Sequence, residues 1–298
     1  MRKYFYIFIL AFFFIPSTYS QQIKNDSLKL ELIKIALINQ SDSYVTFPTD
    51  IGAIAPLLFE ANVSPSFVIK KRKDSRLMGV FTPQIIIRMY NEYSYPVRTP
   101  SYIPQLTFYY LTGNKQASKK LTLFGRIAHH SNGQDGNFFN EDGNINLNTG
   151  SFSTNFIELG FINSSFSKSL NAFNFFKSSI ELHPKNWMIR NLHGVYSGFR
   201  WKNTFQAIKL PFPNLISEKR PAISLKLETT WMFDAINNLD TFNINRLNAS
   251  LTIYYHPKFL EDIGLFVQFY HGNDYYNINF QNRLDIIRFG LMTEILRF

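Results

Sequence analysis

A histidine and a serine lie two positions apart at the end of an alternating apolar segment. The segment Leu121–Ala128 leads directly into His129, His130 and Ser131. Residues two apart in a strand share one face, and their Cα atoms are separated by roughly two rises of 3.3 Å. When an imidazole lies beside a hydroxyl, the imidazole can act as the base and the hydroxyl as the nucleophile of acyl transfer. We therefore predict that His129 and Ser131 form the centre of a nucleophilic site, with His130 on the opposite face.

An asparagine on the next apolar segment completes this set. After a polar stretch at 134–150, apolar residues resume at alternate positions beyond Asn155. Pairing Asn155 with His129 across a hairpin puts every apolar side chain of both segments on one side, and a slip of one residue would destroy that arrangement. We predict Ser131 as nucleophile, His129 as general base and Asn155 as the group that orients the imidazole. The His-His-Ser-Asn-Gly motif alone also fits an interfacial histidine leading into a turn, and the facing asparagine favours the catalytic interpretation.

These residues belong to a chain whose apolar residues alternate over much of its length. Such runs include 106–110, 121–127, 223–234, 247–255 and 263–269, and the longest of them match the roughly 9 to 11 residues that a tilted membrane strand needs. The other face carries charges that a barrel would hold in its lumen. These charged residues are Arg88, Arg126, Lys226, Glu228, Asp234 and Arg246. We predict an all-β fold, an antiparallel transmembrane β-barrel with the apolar face toward lipid, and a soluble β-sandwich is the alternative.

Composition excludes several other classes of protein. The chain has 298 residues, of which 17% are aromatic and 45% hydrophobic, and it has no cysteine. Disulfides, thiolate zinc sites and cysteine nucleophiles are therefore excluded. The net charge of +10 is spread along the chain without a dense basic block, so we expect no nucleic-acid partner.

The first twenty residues have the pattern of an export signal. A basic start at Arg2 and Lys3 precedes an apolar stretch, and small residues stand at Thr18 and Ser20. This order is typical of a secretory signal peptide. We predict a signal peptide at 1–20 and a barrel at 21–298, within which the structure of about 21–65 is left open. Residues 28–37 fit either a strand or a short helix.

Several motifs together resemble the outer-membrane phospholipase A family. His129-His130-Ser131-Asn132-Gly133 is similar to the His-x-Ser-Asn-Gly signature of that family, and Ser151-x-x-x-Asn155 is similar to the segment that follows it. Further similar segments are Pro96–Leu106, Ile180–Pro184, Val267–Gly272, Asn279–Gln281 and Arg283. The resemblance covers roughly residues 75 to 298.

The resemblance implies a barrel of twelve strands in the bacterial outer membrane. It implies calcium-dependent hydrolysis of the acyl esters of membrane phospholipids and lysophospholipids, and activation as a homodimer. Among the matching positions, Ser131, His129 and Asn155 would be catalytic and the Gly133 N–H would be an oxyanion donor. The Gln134 carbonyl and the Ser151 hydroxyl would bind calcium. Gln105 matches a polar residue of the family's dimer interface, but its place in the alternation puts it in the lumen.

Two other functions fit parts of the same pattern. A passive channel or structural barrel would make the histidine and serine incidental. Another outer-membrane lipid hydrolase, such as a lipid A deacylase, would use the same serine and histidine chemistry on a different substrate.

Overall fold

The strands of the protein form a single closed antiparallel sheet. We describe it from a computed structural model that covers residues 31–47, 51–52, 56–70, 75–114, 117–209, 223–234, 239–257, 259–260 and 263–293. The strands in chain order are β1 Tyr44–Thr46, β2 Leu57–Val63, β3 Phe67–Lys70, β4 Leu77–Tyr90, β5 Ser101–Leu111, β6 Lys119–Ser131, β7 Ser153–Ser167, β8 Ala172–Leu182, β9 Phe199–Lys209, β10 Ile223–Met232, β11 Leu247–Tyr255, β12 Ile263–Asn273 and β13 Arg283–Thr293. The predicted signal peptide lies outside the described residues and stays a prediction.

The sheet closes on itself with twelve wall positions. From β4 to β13 each strand pairs with the next one along the chain. Strands β2 and β3 both pair with β4, at different points along its length, and so together fill one position. Strand β1 lies between β13 and β2 and completes the ring. The predicted all-β antiparallel barrel is confirmed.

The wall strands have an apolar outer face and an inner face that carries both polar and apolar side chains. Large apolar side chains that are exposed or half-buried stand at neighbouring outward positions around the ring, namely Phe176, Phe205, Leu227, Leu251, Phe269 and Ile287. Buried side chains such as Thr122, Glu158 and Lys226 point inward from the alternate positions. This alternation is the arrangement that transmembrane barrels use, because lipid contacts the outer face.

Two of the predicted luminal charges lie beyond the strands. Asp234 follows the end of β10 and accepts hydrogen bonds from the Ser197 hydroxyl and the Gly198 N–H. Arg246 lies in a 3₁₀ turn, where its guanidinium donates to four main-chain carbonyls, including those of Met232 and Asp234. The alternation of 223–234 continues past Met232, so Asp234 lies in the connection after β10, whereas Arg246 is buried just before β11 begins at Leu247.

A short helix lies inside one end of the lumen. The sequence left residues 28–37 as either a strand or a short helix. In the described part of this segment, residues 32–37 lie in helix α1 (Leu32–Ile38). Its Ile35 and Ala36 are fully buried against inward residues of β4 to β9. Beyond the helix, Asn39 and Gln40 both donate to the Tyr109 hydroxyl of β5, at 3.0 and 2.7 Å. The N-terminal segment is thus a plug fixed to the wall. No helix in the described ranges is both long and apolar enough to cross a bilayer.

The opposite end, called the loop end here, carries the connections 91–100, 132–152, 183–198, 233–246 and 274–282. Aromatic and aliphatic side chains from three of these connections pack together over the lumen, namely Phe138, Phe152, Leu192, Tyr196, Ile278 and Phe280. Between this cluster and the helix, a polar cavity of about 370 Å³ remains. The described residues therefore cover part of the lumen at each end.

Candidate active site

The predicted pairing of His129 with Asn155 is present near the loop end of β6 and β7. The two residues are direct cross-strand partners, and the same register pairs Ile127 with Ile157 and Ser131 with Ser153. The Nδ1 atom of His129 lies 2.8 Å from the Oδ1 atom of Asn155. Both side chains stand on the outer face because they alternate with the inward residues of their strands. The predicted register is confirmed.

Ser131 is the last residue of β6 and shares the outer face with His129. Its backbone is held between Tyr102 of β5 and Ser153 of β7. Among the described residues, the Ser131 hydroxyl has no hydrogen-bond partner, and no hydrogen bond joins it to His129. A loose nucleophile–base contact is common where no substrate is bound. The hydroxyl is thus two positions from the imidazole and open to the outer surface.

Gly133 turns the chain away from the strand just beyond Ser131. Its φ of +66° lies in the left-handed region, which favours glycine. A Cβ atom there would come within 3.2 Å of the Tyr102 ring. Within the described part of the chain, the Gly133 N–H donates to no protein acceptor. The geometry therefore leaves a main-chain donor beside the serine.

Asn132 closes the base of the connection between β6 and β7. Its buried Oδ1 accepts from the Gln134 N–H at 3.2 Å and from the Phe152 N–H at 3.0 Å. Its Nδ2 donates to the Gly150 carbonyl at 2.8 Å. Gln134 and Ser151, the predicted calcium ligands, are thereby held near each other. The sequence places Asn132 in the motif, but its structural role becomes visible only in the structure.

The donor set at this point fits a hard cation. Calcium takes oxygen ligands such as main-chain carbonyls, hydroxyls and carboxylates. Neither the Gln134 carbonyl nor the Ser151 hydroxyl is bonded to another residue that the structure describes. Asp135 is exposed next to them. Farther along the loop, hydrogen bonds from the Asn144 main chain and side chain hold the pKa of Asp142 below its usual range, so that carboxylate is already engaged.

A shallow apolar pocket lies on the outer surface beside His129 and Asn155. Phe81, Leu106, Ile127 and Trp187 supply most of its apolar lining. Trp187 comes from the connection between β8 and β9, and its carbonyl accepts a hydrogen bond from the Asn155 Nδ2 at 3.1 Å. No spacing in the sequence indicated this contact, because the connection has no periodic pattern. The pocket offers an apolar surface next to the imidazole.

Gln105 and His130 point inward, as their positions in the alternation predicted. Gln105 is buried and donates to the Gln84 side chain at 3.1 Å. His130 lies 3.2 Å from the Ser101 hydroxyl through its Nε2 atom. His129 and His130 therefore face opposite sides of the wall and cannot converge on one metal ion. Among the described residues, no group of three or more histidine, aspartate or glutamate side chains could hold a metal.

The fold and this geometry define a class: a closed antiparallel barrel that carries a hydroxyl, an imidazole and an amide on its outer wall. No family model matches the sequence. No curated protein matches it either.

Solved structures of outer membrane phospholipase A share the fold. The structure from Escherichia coli has a TM-score of 0.56 at 13% identity, covering 85% of this chain and 92% of that one. An active-site mutant of the same protein, with asparagine changed to alanine, has a TM-score of 0.57 at 13% identity, covering 92% and 95%. The calcium-bound dimer from Salmonella typhi has a TM-score of 0.56 at 13% identity, covering 85% and 90%. At this identity the likeness establishes the barrel fold.

Proposed function

We propose that the protein is a calcium-dependent phospholipase of the bacterial outer membrane that hydrolyses the acyl esters of phospholipids and lysophospholipids. The observation that carries the proposal is the 2.8 Å contact between His129 and Asn155 on the outer wall, with the Ser131 hydroxyl two positions away on the same face. A site on that side of the wall meets lipid directly. The fold shared with outer membrane phospholipase A supports the same assignment.

The proposed reaction uses the three side chains in the roles of a catalytic triad. The Nε2 atom of His129 takes the proton of the Ser131 hydroxyl while the serine oxygen attacks the ester carbonyl carbon. The Asn155 Oδ1 accepts from the imidazole Nδ1–H and keeps the ring in that tautomer. His129 then protonates the departing alcohol of the lipid. Water, activated by the same imidazole, releases the fatty acid from Ser131.

The negative charge that develops on the carbonyl oxygen needs donors close to Ser131. The Gly133 N–H is our candidate for this role, since no residue in the described part of the chain accepts from it. The Gln134 carbonyl and the Ser151 hydroxyl would hold calcium beside it. Bound calcium would add electrostatic stabilisation of the oxyanion.

Membrane position and oligomeric state belong to the same proposal. Transmembrane barrels have short turns on the periplasmic side and longer loops outside. The connection 132–152 is much longer than the turn 168–171 at the opposite end, so the loop end and the site would face the outer leaflet. The structure from Salmonella typhi is a calcium-bound dimer, and we propose that this chain is also active as a homodimer.

The decisive experiment measures fatty acid release by the purified barrel from phospholipid vesicles. We expect release with calcium, loss of release with a chelator, and a loss of at least about 10³-fold for Ser131→Ala. Ser165→Ala is the matched control, because Ser165 also faces outward on β7 but lies at the far end of that strand. Full activity of a folded Ser131→Ala protein would contradict the proposal. Hydrolysis of lipid A in place of phospholipid would assign the same chemistry to a different lipid.

A further inference from the structure

The amide of Asn155 has hydrogen-bond partners on both of its ends. Its Oδ1 atom lies 2.8 Å from the His129 Nδ1, and its Nδ2 donates to the Trp187 carbonyl at 3.1 Å. A main-chain carbonyl can only accept a hydrogen bond. The end of Asn155 that faces Trp187 must therefore be the NH₂ group, and the end that faces His129 must be the oxygen.

This polarity continues into the imidazole. Because the Asn155 oxygen can only accept, the His129 Nδ1 must carry the hydrogen. In a neutral imidazole the Nε2 atom then has a free lone pair, which is the form that a general base needs. The Trp187 carbonyl thus bonds Asn155, and Asn155 in turn bonds His129. These two hydrogen bonds in series select the tautomer of His129.

The connection is built to hold that carbonyl in place. Strand β8 ends at Leu182, opposite Ile157, and so does not reach the start of β7. The chain instead returns along β7 after a 3₁₀ turn at Lys185–Trp187. The Ile189 N–H donates to the Ser153 carbonyl at 3.1 Å, and Met188 forms a β-bridge with Thr154. Residues 188–189 therefore pair with the start of β7, at the level of the site.

We propose that Trp187 is a positioning residue whose main-chain carbonyl fixes the orientation of Asn155 and, through it, the tautomer of His129. The catalytic consequence of this inference rests on the proposed function. The tautomer of His129 can be measured independently of hydrolysis. It also gives a reason for an amide at position 155. A carboxylate there would put a second acceptor oxygen against the Trp187 carbonyl.

The test weakens the connection without touching the site. Ile189→Pro removes the N–H that bonds to Ser153, and the native φ of −63° and ψ of 145° at this residue suit proline. The preceding Met188 is extended, with φ −129° and ψ 156°, as a residue before proline prefers. Ile189→Ala and Trp187→Ala keep all the main-chain groups and serve as the controls.

The first readout is the tautomer of His129 from ¹⁵N chemical shifts of the full barrel in micelles. We expect the Nδ1–H form in the wild type and in both alanine variants, and a mixture of tautomers in Ile189→Pro. An unchanged tautomer in a folded Ile189→Pro protein would overturn the proposal. Loss of the Nδ1–H form in Trp187→Ala would overturn it as well, since that variant keeps the carbonyl.

The second readout is the kinetics of phospholipid hydrolysis in a double-mutant cycle. Ile189→Pro should lower kcat about 10- to 100-fold with little change in KM. Combined with Asn155→Ala, it should cause no further loss, because both changes act through the same amide. Losses that multiply would contradict the proposal. A wild type without hydrolysis but with the expected tautomer response would refute the proposed function and leave the positioning role intact.

Discussion

Arg126 and Glu158 form an ion pair of 2.9 Å inside the barrel, three residues along their strands from His129 and Asn155 on the outside. The two pairs belong to the same ladder between β6 and β7. A register that brings the inner charges together therefore also brings the imidazole and the amide together. A one-residue slip would turn the charges toward lipid, so the ion pair opposes the register errors that would disperse the outer site.

Glu158→Gln should destabilise the barrel strongly. Glu158 is fully buried, contacts Arg126, and accepts from the Ser179 hydroxyl at 2.7 Å. Breaking a buried ion pair by removing one charge typically costs about 3 to 5 kcal/mol. The free energy of unfolding in urea, measured in lipid vesicles, tests this. Glu92→Gln, which breaks the exposed pair with Arg98, should change stability by less than about 1 kcal/mol, and an equal loss in both variants would contradict the argument.

Gly133→Ala should reduce catalysis more than it reduces stability. The added methyl group would meet the Tyr102 ring and shift the main-chain N–H beside Ser131. We expect kcat to fall about 10- to 100-fold, the range that follows misplacement of a catalytic group by 1 Å.

The control for Gly133 is Gly143→Ala. Gly143 also has a positive φ, of +79°, but no atom lies within 4 Å of its added Cβ. That variant carries the same kind of backbone strain and should hydrolyse phospholipid at close to the wild-type rate. Equal kinetic losses in the two variants would remove Gly133 from the proposed oxyanion site.

Ser151→Ala should raise the calcium concentration required for half-maximal hydrolysis. The variant removes one proposed oxygen ligand and leaves Ser131, His129 and Asn155 in place, so saturating calcium should restore much of the activity. Titration of hydrolysis with calcium measures the shift. Asn148→Ala, a change at an exposed amide of the same connection, should leave the titration unchanged. An unaltered titration for Ser151→Ala would exclude that hydroxyl as a ligand.

Ile35→Ala should destabilise the protein through the plug at the end of the lumen. Ile35 has no exposed surface in the cluster around helix α1, and truncation of such a side chain to alanine costs about 2 to 5 kcal/mol. The urea midpoint in vesicles checks this value. Leu37→Ala, at a half-buried position outside that cluster, should cost clearly less.

Helix α1 and the aromatic cluster of the loop end narrow the lumen at its two ends. The wild type should therefore show little steady ion conductance in a planar bilayer.

The sequence was sufficient to predict the barrel and the contact between His129 and Asn155. Alternation with a period of two excludes every pairing of β6 and β7 that is shifted by an odd number of residues, and placing Asn155 opposite His129 within the remaining registers gave the one that is observed. The expected number of strands and the proposed calcium ligands came from the family resemblance, since periodicity does not count strands.

Other features depend on contacts between distant parts of the chain. The apolar residues of helix α1 fit the period of a helix and also that of a strand. Its place in the lumen is fixed by partners such as Tyr109, which is remote in sequence. Trp187 reaches Asn155 through a connection without repeating pattern. Asp234 lies beyond β10 because alternating residues continue past the end of that strand.

The position of the site on the outer wall has a kinetic consequence. A lipid can reach His129 and Ser131 only from the surrounding leaflet, so it must diffuse laterally within that leaflet. The reaction would then be two-dimensional, and its rate would follow the mole fraction of susceptible lipid in the surface rather than the amount of lipid per volume of solution. Dilution of vesicles at constant composition would leave the initial rate per barrel unchanged, whereas dilution of the substrate with a non-hydrolysable ether lipid would lower it.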